Sequence, residues 1–106
     1  MEYERLDYRT SDGSLDIDFC FVNGGSEGWL AYIISNINYR GRDTSYHATH
    51  RNHLDGDTYK SICWNTRVGS LKEMKAIAAL WADVTALYIK NGGSFDSIAQ
   101  KLLAKK

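Results

Sequence analysis

All three histidines of the chain fall within seven residues, at His47, His50 and His53. The side chains around them are arginines and tyrosines, with Arg40, Arg42 and Arg51 beside Tyr39, Tyr46 and Tyr59. Arginine presents a planar fork of donors to phosphate or carboxylate, and histidine can donate from either ring nitrogen. Tyrosine stacks on flat rings and keeps a hydroxyl for hydrogen bonding. Segment 39–59 therefore predicts a site for a planar anion such as a nucleotide or a short nucleic acid.

The predicted ligand-binding side chains are the cations and aromatic rings of this segment: Arg40, Arg42, Tyr46, His47, His50, Arg51, His53 and Tyr59. An ordinary solvated surface is the alternative, because Asp43, Asp55 and Asp57 can neutralise the arginines within the chain. Exposed ion pairs of that kind contribute only about 0–1 kcal/mol to stability.

The histidine spacing does not favour a metal site. Side chains three residues apart share a face on a helix but alternate between faces on a strand. The neighbouring glycine, asparagine and aspartate residues argue against a helix here, so the three imidazoles are not expected to converge. Asp55, Asp57 and Cys63 are further candidate ligands, but the chain has no Cys-x-x-Cys pair. We therefore expect neither a metal nor another cofactor.

Cys63 carries the hypothesis of covalent chemistry. It follows His53 by ten residues and stands between Ile62 and Trp64. A cysteine with a histidine partner can act as a nucleophile, so the runner-up function is an enzyme that uses Cys63 with His50 or His53. A small residue on a strand explains Cys63 more simply, and we favour a non-catalytic binding protein.

Alternating and turn-bounded segments predict the strands that must position these residues. Strands are predicted over residues 2–9, 15–22, 29–39, 49–54 and 58–64. The first carries charges that suit the edge of a sheet, where they discourage pairing with a second chain. The last two are expected to form a hairpin that turns at residues 55–57.

Two helices are predicted after the strands. Ser70 and Glu73 have the spacing of a capping box, and Gly92 can end a helix that extends to about Asn91. Ser94 caps a last helix. The apolar stripe of the first includes Met74, Ile77, Trp81, Val84 and Tyr88, and that of the second Phe95, Ile98, Ala99, Leu102 and Leu103. The fold class is α+β: an antiparallel meander of four to five strands, followed by two C-terminal helices packed on one sheet face.

The strand at 29–34 is apolar on both faces, and the helices can cover only one of them. Leu30, Tyr32 and Ile34, or the opposite set, then need another partner. We expect a symmetric homodimer, the commonest solution. A protein-interaction module that acts through the exposed sheet face is the remaining alternative.

Composition excludes several classes of protein. The chain has 106 residues, 43% of them hydrophobic and 25% charged, which predicts one globular domain over 1–106. Its formal net charge is zero, so a polybasic nucleic-acid binder is excluded. No apolar run approaches the ~20 residues of a membrane span, and the charged N-terminus is unlike a secretory signal. Two cysteines cannot form a disulfide framework, so we expect a cytoplasmic location. From its size we expect an accessory protein of a bacterium or phage.

Overall fold

A computed structural model describes residues 3–53, 56, 58–64 and 66–104. Within these residues the elements are β1 (Tyr3–Arg9), β2 (Asp16–Asn23), a 3-10 turn (Gly25–Glu27), β3 (Trp29–Ile33), α1 (Tyr46–Thr49), β4 (Arg51–Asn52), β5 (Lys60–Ile62), α2 (Leu71–Asn91) and α3 (Phe95–Ala104). The strands form one antiparallel sheet in the order β1-β2-β3-β5-β4. Helices α2 and α3 pack on this sheet, so the predicted α+β fold is confirmed.

The predicted hairpin between the last two strands is also confirmed, although its strands are short. Arg51 lies opposite Ile62, and Asn52 lies opposite Ser61. It is β5 rather than β4 that pairs with β3, because the long connection through α1 brings the chain to the outer edge of the sheet first. Asp55 and Asp57 of the predicted turn lie outside the described residues.

Strand β3 is shorter than the predicted 29–39, because it ends at Ile33. The amide of Asp18 on β2 donates to the Ser35 hydroxyl at 2.8 Å, so a side chain replaces the backbone acceptor there. The Asn38 side chain then accepts from the amide of Arg40 at 2.9 Å, and Arg40 has a φ of 52°. This left-handed turn redirects the chain after β3 has ended.

The central helix is held by Trp81, which is only 3% exposed. Its ring lies edge-on to Phe19 of β2, with centroids 6.0 Å apart, and 6.5 Å from the ring of Phe95 on α3. Its indole nitrogen donates to the carbonyl of Thr49 at 3.1 Å. Trp81 therefore joins the sheet, the last helix and α1 at one place.

The helix ends follow the sequence closely. The Ser70 hydroxyl accepts from the amide of Glu73 at 3.1 Å, as the capping pattern predicts. Gly92 ends α2 with a φ of 74°. Before α3, the Ser94 hydroxyl accepts from the amide of Ser97 at 3.1 Å. These caps fix where each helix begins or ends, and so which residues face the sheet.

The second face of the sheet is not covered by the helices. On β3, Ala31 and Ile33 are buried beneath the helices, whereas Leu30 and Tyr32 on the other face are half-buried. The homodimer predicted from this strand stays a prediction. In the part of the chain that the structure describes, no helix is both long and apolar enough to cross a bilayer.

Replacing Trp81 with alanine should lower the free energy of unfolding by about 3–5 kcal/mol, because it leaves a large cavity between sheet and helices. Leu103→Ala is the control, since Leu103 is 53% exposed and should change stability by no more than about 0.5 kcal/mol. Urea denaturation of both variants measures the difference. Equal stability of the two variants would contradict the central position of Trp81.

Candidate ligand-binding cleft

The histidine-rich segment contains one helical turn, α1. The Asp43 side chain accepts from the amide of Ser45 at 2.9 Å, and this hydrogen bond lowers the pKa of the Asp43 carboxyl. The Ser45 hydroxyl in turn accepts from the amide of Ala48 at 3.2 Å, and His50 ends the turn with a φ of 51°. The expectation that this segment is not helical is therefore wrong for Tyr46–Thr49. The serine cap three residues before Ala48 is the sequence signal that predicts the turn.

Arg42 binds the end of the long helix rather than an external anion. Its Nε donates to the carbonyl of Ile89 at 3.1 Å, and its Nη2 donates to that of Lys90 at 3.3 Å. A cation is favourable at this end of a helix, where the last carbonyls lack partners. Arg40, which stands two residues earlier, is exposed.

Arg51 likewise uses its donors within the chain. Its Nε donates to the Thr49 hydroxyl at 2.8 Å, and its Nη2 donates to the carbonyl of Thr44 at 2.9 Å. Its guanidinium carbon lies 4.9 Å from the centre of the Tyr39 ring, within the range of a cation–π contact. Arg51 therefore ties both ends of α1 together and covers a buried tyrosine.

A cleft of about 610 Å³ opens between α1, the residues that follow β5, and the two C-terminal helices. Its lining comprises Tyr46, His47, His50, Cys63, Trp64, Thr66, Leu80, Trp81, Phe95, Asp96, Ala99, Gln100 and Leu103. Of the predicted ligand-binding residues, the cleft brings together Tyr46, His47 and His50. Arg40, Arg42, Arg51, His53 and Tyr59 are not among the residues that line it.

Tyr59 lies at a second and smaller depression, on the open face of the sheet. This depression has a volume of about 380 Å³ and is also lined by Arg5, Cys20 and Tyr32. The predicted segment thus contributes to two different surfaces.

His50 lies where the walls of the cleft meet. Its ring stacks on Phe95, with centroids 4.4 Å apart and an angle of 16° between the planes. Its Nε2 lies 3.3 Å from a carboxylate oxygen of Asp96. Its carbonyl accepts from the amide of Cys63 at 2.8 Å. His50 therefore connects the end of β5 to the first turn of α3.

Large exposed apolar side chains cluster at the rim of the cleft. In the described residues five large hydrophobic side chains are strongly exposed, and three of them line this cleft: Tyr46 at 46%, Trp64 at 49% and Leu103 at 53%. The sequence predicts Leu103 as part of the core stripe of α3, so its exposure is a correction. Clustered exposed apolar groups usually mark a binding surface.

The cysteine and histidines of the cleft do not form a metal centre in the described part of the chain. Within it, no group of three or more histidine, cysteine, aspartate or glutamate side chains is placed to hold an ion. Asp55 and Asp57, two of the candidate ligands, lie outside the described residues.

A scan against protein-family models finds no match to this chain, and searches of curated proteins and of solved structures find none either.

Tyr39, beneath Arg51, provides a test of the packing behind α1. The side chain is 5% exposed, and its hydroxyl has no hydrogen-bond partner among the described residues. Tyr39→Phe should therefore raise the free energy of unfolding by about 1 kcal/mol, since it removes a buried, unpaired polar group. Tyr3→Phe is the matched control, because the Tyr3 side chain is 69% exposed. A clear loss of stability in Tyr39→Phe would contradict the unpaired hydroxyl.

The same variant should change the response to alkaline pH. Burial raises the pKa of Tyr39 to about 12, whereas a tyrosine in the unfolded chain loses its proton near ~10. Between about pH 10 and pH 12 this tyrosine loses its proton in the unfolded chain but keeps it in the folded protein. The free energy of unfolding is therefore unaffected by this group below about pH 10 and falls as the pH rises through about 12. Urea melts across this range should show a steeper loss in the wild type than in Tyr39→Phe.

Proposed function

We propose that the protein is a small, non-catalytic binding protein whose ligand is a mononucleotide or a similar planar ring with one anionic group. The observation that carries the proposal is the exposed aromatic rim, formed by Tyr46 and Trp64, over a floor of Trp81 and Phe95. Side chains of this kind are costly to leave in water unless something packs against them.

The shape of the cleft supports a small ligand. Its volume of about 610 Å³ lies within the usual range of about 300–1,000 Å³ for small-molecule sites. Tyr46 and Trp64 can each offer a flat face to a base, and stacking on an aromatic ring contributes about 1–3 kcal/mol per base. His47, Thr66 and Gln100 add polar groups to the lining, and such groups fix the orientation of a ligand in a largely apolar site.

The charges of the cleft and of the whole chain disfavour a long polyanion. His47 is exposed at the cleft and can donate to a phosphate. Asp96 carries the opposite charge and lies beside His50, so the cleft contains no surplus of cations. The chain has no net positive charge, which disfavours a nucleic acid bound through many phosphates.

The proposal includes the cytoplasm as the location, because Cys20 and Cys63 are both free thiols. Free thiols are typical of reducing compartments. An interaction module on the open sheet face stays an alternative prediction.

Calorimetric titration with purine and pyrimidine mononucleotides tests the proposal. Tyr46→Ala should weaken binding about tenfold, because it removes one stacking surface. Tyr3→Ala is the control: it deletes a tyrosine ring that is more exposed than Tyr46 and lines neither depression, so it should leave the affinity unchanged.

The titration should be repeated at pH 6 and pH 8. Tighter binding at pH 6 than at pH 8 would indicate that the anion contacts a histidine of the cleft, because a charged imidazole attracts an anion. Among the described residues, Tyr46, Cys63 and Asp96 are the other ionisable groups that line the cleft. Absence of binding at both pH values, or equal losses in Tyr46→Ala and Tyr3→Ala, would contradict the proposal.

A catalytic role is the second candidate, because Cys63 and His50 line the same cleft and His50 is oriented by Asp96. These are the residue types of a nucleophile, a base and a residue that positions the base. Mass spectrometry of the titrated samples separates the two functions. A ligand consumed by the wild type but not by Cys63→Ser would show that the cysteine reacts.

A further inference from the structure

Strand β1 forms one edge of the sheet, and in the described residues β2 is the only strand that pairs with it. The strand has seven residues, and its exposure alternates along the whole length. Tyr3, Arg5, Asp7 and Arg9 share the more exposed face. A strand edge of this length presents unpaired amides and carbonyls, which form a template for another strand.

The charges on the open face of β1 are balanced with one exception. Arg5 forms an ion pair with Asp18 of β2, and Arg9 forms one with Asp16 at 2.9 Å. Asp7 lies directly opposite Asp18, so two acids face each other across the strands. Among the described residues no cation lies within ion-pair distance of Asp7. Like charges directly opposite in a sheet are unfavourable, and a cation from another molecule would relieve this pair.

The sequence of β1 supplies that cation when the strand meets an antiparallel copy of itself. Leu6 is the middle residue of Tyr3–Arg9, so a twofold axis through Leu6 pairs all seven residues with their copies. That register places Arg5 opposite Asp7 of the second copy, and Tyr3 opposite Arg9. On the other face Leu6, which packs against the core, meets the second Leu6.

Other antiparallel registers of β1 with its copy are less favourable, because they place like charges opposite each other or shorten the overlap. A twofold axis through Arg5 places two arginines opposite each other, and an axis through Asp7 places two aspartates opposite each other. An axis through Tyr8 avoids like charges, but only three residues of the strand then overlap. The register with the longest overlap is therefore also the one with complementary charges.

We propose that this edge is a homodimer interface, in which β1 pairs antiparallel with β1 of a second copy about Leu6 to form a continuous ten-stranded sheet. Charges on an edge strand usually prevent pairing, and the sequence favours that role for residues 2–9. In β1 the order of the charged residues opposes pairing with a strand whose charges do not match, but it is complementary to an antiparallel copy of β1. This interface differs from the sheet-face dimer predicted from the strand at 29–34.

Sedimentation equilibrium from micromolar to millimolar concentration tests the interface through a charge exchange. The mass of the wild type should rise from 12.0 kDa toward twice that value, and high salt should weaken the dimer. Asp7→Arg places arginine opposite Arg5 of the second copy and should raise the dissociation constant about tenfold or more. Within its own chain the new arginine faces Asp18, so the fold should be retained.

The double variant Arg5→Asp/Asp7→Arg restores opposite charges across the interface and should recover the wild-type dissociation constant. Leu30→Arg, on the open face, is the control and should leave the dimer intact. Thermal melts followed by circular dichroism check that each variant is folded. A wild type that stays at 12.0 kDa, a folded double variant without recovery, or loss of the dimer only in Leu30→Arg would each overturn the proposal.

Discussion

The contacts of Trp81 are the constraint on which the other parts of this small structure depend. Its ring packs against Phe19 of the sheet and Phe95 of α3, while its indole donates to the carbonyl of Thr49. A buried carbonyl without a partner would cost about 1–3 kcal/mol, so this hydrogen bond also fixes the position of α1. Trp81 therefore both lines the cleft and holds α1, which forms one of its walls.

This anchor matters because α1 has only four residues. A helix so short has no stability of its own, since nucleation costs more than one turn of hydrogen bonds returns. It is held from outside by the Ser45 cap, by Arg51 across its two ends, and by the indole of Trp81. These contacts fix the turn that carries Tyr46, which is 46% exposed at the cleft.

Periodicity predicted the parts of the fold that bury a continuous apolar surface. The stripe of α2, its Ser70 cap and the alternation of β2 are all readable from local sequence. The end of β3 could not be predicted from local sequence, because there the Ser35 hydroxyl replaces a backbone acceptor. A hydrophobic pattern does not indicate such a replacement. A stripe also cannot distinguish core from rim, which is why Leu103 was expected inside and is found exposed.

The candidate site was predicted only in part, for a different physical reason. Tyr46, His47 and His50 were found because they are close in sequence, whereas Trp64 and Asp96 reach the cleft through the fold. Arg42 and Arg51 have the chemistry of anion binders, yet they donate to carbonyls of the chain. The sequence shows which hydrogen-bond donors a segment contains, and the tertiary structure determines which of these donors are available to a ligand.

The most direct test of this account is the hydrogen exchange of the tryptophan indoles, followed by nuclear magnetic resonance. The indole proton of Trp81 should exchange slowly and show a nuclear Overhauser contact to the Thr49–His50 backbone, because it is buried and bound to Thr49. That of Trp64, which is 49% exposed, should exchange quickly in the same sample. Equally fast exchange of both indoles would contradict the claim that Trp81 holds the wall of the cleft in place.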